Sequence, residues 1–139
     1  MMHFWIFMLI FCTLSSGCSK QTSPTEPEPQ GIYGNWNWVK SVGGIAGVTI
    51  TPASAGYTER LMLKSDNNRE SYRNDTLVAT TQFTIRWEKS PFSPDSVDVI
   101  HYADTIRFMD QIISVICSDT LGLFDLCYDC FGHTYTRTR

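Results

Sequence analysis

The densest set of reactive side chains is Cys127-Tyr128-Asp129-Cys130, with Cys117 ten residues before Cys127 and His133 three after Cys130. Three thiols and an imidazole are donor types that hold Zn²⁺. In an oxidising compartment nearby thiols instead join as a disulfide. Redox work would need a thiol pKa lowered by a setting such as a helix N-terminus, and no helical pattern precedes Cys127. A structural disulfide is the leading reading, ahead of partly buried unpaired thiols and of metal or redox chemistry. His101 lies among Val99, Ile100 and Tyr102, where a lone strand histidine is a hydrogen-bonded structural residue before it is a base. Asp95, Asp98, Asp104, Asp110, Asp119, Asp125 and Asp129 fall at turns or alternate strand positions and define no acid–base pair. The glycines from Gly43 to Gly47 match neither GxGxxG nor a phosphate-binding GK[ST] loop. No nucleophile–base–orienter set can be written, so the chain reads as a non-enzyme without metal or cofactor.

The elements around these residues start with the chain ends. The protein has 139 residues, 11 basic and 14 acidic, for a net charge of −3. That length allows one domain, and the absence of a basic cluster removes nucleic acid as a partner. Phe4 to Cys12 is an uninterrupted apolar run of nine residues, about 14 Å as a helix against a bilayer core of about 30 Å. It has the length of an export-signal core, followed by the small residues a signal peptidase accepts. Leu14-Ser15-Ser16-Gly17-Cys18 resembles the lipobox of bacterial lipoproteins, with its large residue four before the cysteine where the family has it three before. The resemblance implies cleavage after residue 17, acylation of Cys18, a membrane partner through that anchor, and a place in the bacterial cell envelope. With Cys12 removed and Cys18 acylated, Cys117, Cys127 and Cys130 remain, an odd number. Residues 19–30 hold three prolines and no apolar side chain, a composition that cannot form a core. Extended, they reach roughly 37 Å and serve as a tether.

Residues 31–139 carry period-2 alternation. Phe83, Ile85 and Trp87 alternate with Thr84, Arg86 and Glu88, while Leu61 and Leu63 alternate with Arg60, Met62 and Lys64. Turn-forming clusters cut this material into strands near 35–40, 58–64, 70–73, 76–88, 96–102, 105–109 with 111–117, 121–126 and 133–138. About eight strands in up-and-down order predict an all-β, closed antiparallel barrel, with a two-sheet β-sandwich as the alternative. Residues 41–56, with four glycines and one proline, read as a long loop folding back over the barrel mouth.

Gly34-Asn35-Trp36, the glycine-rich stretch after the first strand and the closing Tyr135-Thr136-Arg137 together resemble the lipocalin-like (calycin) domains of small bacterial lipoproteins. The resemblance implies that Trp36 packs at the closed end against Arg137, a structural cation–π contact. It also implies a small hydrophobic ligand inside the barrel. Trp38, Phe83, Ile85 and Trp87 are the candidate wall residues, since an eight-stranded barrel has room for packed side chains or one small ligand. The rival reading is a filled barrel that binds another envelope protein through its loops.

Overall fold

The computed structural model describes residues 31–117 and 119–138; the expected export signal, Cys18 and the tether lie outside them. Nine strands and one short helix follow in the order β1 (Gly34–Gly43), β2 (Val48–Ile50), α1 (Pro52–Ala55), β3 (Glu59–Leu63), β4 (Asn68–Arg73), β5 (Thr76–Lys89), β6 (Ser96–Tyr102), β7 (Gln111–Cys117), β8 (Thr120–Asp125) and β9 (Phe131–Arg137). Each strand pairs antiparallel with its neighbour, and β9 pairs back onto β1. Eight strands therefore close into the expected barrel rather than a sandwich, and β2 is added beside the upper half of β1.

Alternation builds the core. Trp36, Leu61, Leu63, Phe83, Ile100, Leu121, Leu123 and Tyr135 point inward and pack as one cluster. A two-residue turn with Asn74 and Asp75 at φ 48° and 61° joins β4 to β5, the left-handed geometry that tight hairpins need. β5 is long because its halves serve different neighbours: residues 76–82 pair with β4 and residues 83–89 with β6.

At the end of the barrel where β1 begins, the Arg137 guanidinium lies 4.0 Å from the centre of the Trp36 ring. It donates to the Tyr33 and Gly31 carbonyls at 2.7 and 2.9 Å. The Trp36 indole donates to the Ile32 carbonyl at 2.7 Å. Gly34 has φ +135°, and a Cβ there would run into the Arg137 guanidinium. The Gly-x-Trp pattern thus has a steric cause in this chain.

Two sequence expectations need correction. Residues 105–109 form a turn, not a strand. The Asp104 side chain accepts from the Ile106 and Arg107 amides, both at 3.2 Å, which holds the backbone in a local turn and outcompetes the ladder that the apolar residues suggest. Residues 41–56 are not one loop: β1 runs on to Gly43, β2 follows, and α1 starts at a capping box in which Thr51 and Ser54 exchange side-chain and backbone bonds. Ile50, Ala55 and Tyr57 pack on the core as a cover, whereas Ile45 and Val48 are exposed.

Candidate functional site

Two arrangements compete for attention, one inside the barrel and one on its outer wall. The inner one is a chain of hydrogen bonds at the end opposite Trp36. The Trp38 indole donates to Ser41 Oγ at 2.9 Å. Ser41 Oγ is 2.7 Å from His133 Nδ1, and His133 Nε2 is 3.2 Å from Asp125 Oδ2. From the other side, Gln111 donates to Asp125 Oδ1 at 2.8 Å. The Gln111 carbonyl oxygen in turn accepts from Tyr102 at 2.8 Å and Arg69 at 3.4 Å.

Donor and acceptor inventories give this chain one polarity with a neutral imidazole. The Ser41 hydroxyl donates to Nδ1, Nε2–H donates to the carboxylate, and every bond points toward Asp125. Burial pushes the Asp125 pKa up, but the bonds from His133 and Gln111 and the Arg69 charge outweigh it and hold the carboxyl below its ordinary range. Arg69 is also buried; its guanidinium stacks on Tyr102 at 4.6 Å and Phe108 at 4.5 Å. Burial raises the Tyr102 hydroxyl pKa and keeps it a neutral donor.

Ser41, His133 and Asp125 have the order of a nucleophile, a base and an orienting acid, a set the linear sequence did not reveal. The serine is only 6% exposed, and its oxygen already holds the Trp38 indole. The arrangement as it stands is a satisfied, partly buried network that ties β1, β8 and β9 together.

The outer arrangement lies where the wall is least complete. β1 and β9 pair at seven register positions, from Trp36↔Arg137 to Gly43↔Phe131. β6 and β7 pair at only two, Val99↔Ile112 and Ile100↔Gln111. Beyond these, no register pair joins the two strands, and β7 carries a register shift against β8 between Ile113 and Val115. Over the outer face of this split runs a groove of about 410 Å³ lined by Phe92, Val97, Ile112, Ser114, Phe124, Cys127 and Tyr128, with Asp129 at its edge. Phe92 comes from the β5–β6 loop and meets Phe124 and Tyr128 edge-on at 5.7 and 5.3 Å between ring centres. That loop is braced by the Ser90 amide on the Asp95 carbonyl and by the Phe92 amide on Ser90 Oγ, both 3.1 Å. The disulfide joins Cys127 and Cys130 and holds Tyr128 over the groove; Cys117 is the last residue of β7.

The four residues expected to wall a lumen are distributed along the barrel. Trp38 sits at the Ser41 end, stacked on Tyr57 at 5.8 Å. Phe83 is buried near the other end beside Tyr33. Ile85 and Trp87 share the inward face of β5 but are 37% and 70% exposed, because β5 runs past the core toward the split. Ile116, paired with inward-facing Leu121, is 45% exposed there as well.

His101 faces outward, with Nδ1 2.7 Å from Asp110 and Nε2 3.3 Å from Glu88. It borders a second, polar groove that also takes in Asp66, Asn67 and Arg86. The outer groove was missed in the sequence because Phe92 and Tyr128 sit in turn segments whose side-chain directions follow from tertiary contacts. The one available signal was aromatic residues within otherwise polar turns. Comparison of the chain with protein-family models, with curated proteins and with solved structures finds no match.

Proposed function

We propose that this protein is a lipid-anchored, non-catalytic, lipocalin-like barrel of the bacterial cell envelope, held by acylated Cys18, that captures a small apolar molecule. The capture site in this reading is the outer groove at the β6–β7 split. One observation carries it: a groove of about 410 Å³ with almost wholly apolar walls, on a barrel whose core is otherwise packed with side chains. That volume falls within the range of small-molecule sites. Burial of about 200 Å² of apolar ligand surface contributes roughly 5 kcal/mol. The loss of translational and rotational freedom is of comparable size, so affinity depends on walls that are already rigid. The Ser90 bonds and the disulfide supply that rigidity.

The test is photolabelling of the full acylated chain in membranes with a small benzophenone probe, followed by mass mapping. Adducts concentrate on the segments carrying Phe92, Phe124 and Tyr128, and Phe124→Ser lowers them about tenfold. Labelling spread evenly over other exposed apolar residues such as Ile45 and Ile106, or unchanged by the substitution, overturns the reading.

A further inference from the structure

The β6–β7 split has more than apolar side chains. Continuing the register past Val99↔Ile112 would bring residues 96–98 opposite residues 113–115, yet among the described residues no strand pairs with β6 or β7 along these edges. Each strand is paired on its far side, β6 with β5 and β7 with β8, so the unmatched backbone groups face the split from both sides. Apolar side chains also border it on both faces: Val97, Ile112 and Phe124 outside, Ile85, Trp87 and Ile116 inside.

Unpaired edges left and right with apolar surface front and back are what the central strand of a sheet requires of its neighbours. A compact apolar molecule in the outer groove occupies the outer face alone and leaves both edges available to a second class of occupant. We infer that the split is a receptor for an extended polypeptide segment from a partner protein, added as a strand. This rests on the β6–β7 split being the binding site and adds a second class of occupant beside the small apolar molecule.

The border supplies a second requirement. Asp95, Asp98 and Asp129 are exposed around the split and Glu88 stands opposite Val97, against the cations Arg86 and Lys89 on β5. The fitting segment therefore carries apolar, β-branched residues over about three positions and basic residues flanking them. Because β6 and β7 are antiparallel to each other, the added strand runs antiparallel to one and parallel to the other.

The experiment uses the full acylated chain in a neutral detergent and the peptide acetyl-Lys-Lys-Val-Ile-Val-Lys-Lys-amide, with a control in which the central Ile is replaced by Pro. Charge is unchanged, and the control lacks one backbone N–H. Amide hydrogen exchange is followed by mass spectrometry. The proposal expects exchange at residues 96–98 and 113–117 to slow at least tenfold with the first peptide while the β1–β9 seam is unaffected, and the Pro peptide to bind at least tenfold more weakly. Equal binding of the two peptides, or binding without slower exchange at those edges, overturns it. If the benzophenone probe labels the groove but neither peptide alters exchange, the strand proposal falls and the groove reading stands. If the probe also fails, both fall.

Discussion

The β1–β9 and β6–β7 seams close the same barrel with the same kind of bond, yet they differ in what is left over. Along β1–β9, seven register pairs, the Trp36–Arg137 stack and the Ser41–His133 bond leave few backbone or side-chain groups unmatched. Gly43 shows how close the approach is, since a Cβ there would overlap the Cys130 carbonyl and the Phe131 backbone. Along β6–β7, two pairs suffice for closure, and beyond them the strand ends share no register pair. A seam that satisfies itself has little to offer a partner; a seam that does not presents both hydrogen-bonding edges and apolar surface. In the proposed reading, stability and recognition fall on different parts of one wall.

The largest effect should come from the tight seam. Trp36 is fully buried and holds both Ile32 and Arg137, so Trp36→Ala is expected to destabilise the fold by about 3–5 kcal/mol. Urea unfolding followed by circular dichroism checks it; a loss under about 1 kcal/mol would mean that closure does not depend on this stack.

An intermediate effect concerns acid. The Asp125 pKa is lowered in the folded state, so its contribution is present above the unfolded value near 3.9 and disappears as pH falls through the folded one. Stability should drop on acidification below about pH 4, and Asp125→Asn should flatten that drop while lowering stability at pH 7. The exposed Asp66 and half-buried Glu70 carboxyls, also held low by hydrogen bonds, titrate in the same window and leave a residual slope. An acid limb unchanged in the variant would show that the Ser41–His133–Asp125 chain does not tie the strands.

The smallest effect belongs to the loose seam. Trp87→Ala, at a mostly exposed position, should change unfolding free energy by no more than about 0.5 kcal/mol. A loss of several kcal/mol would show that the inner face of the split is packed in solution.

The legible features were those written in neighbouring residues. Phe83-Thr84-Ile85-Arg86-Trp87 announces a strand by alternation, and Asn74-Asp75 announces its turn, so strand existence and order could be read directly. Residues 105–109 misled because Asp104 captures their amides, a competition that alternation does not encode. The exposure of Trp87 was likewise hidden: its parity matches buried Phe83, but how far the core extends beneath β5 depends on where β6 ends its pairing with β7.

By itself, the sequence determined an all-β chain of about eight short strands, because period and turn chemistry act over a few residues. Tertiary structure decided which edges meet. Ser41 and His133 bond across a separation of 92 residues, and β6 parts from β7 after two register positions. Such outcomes follow from the stagger accumulated around the closed wall, a property of all the strands together that no local stretch carries.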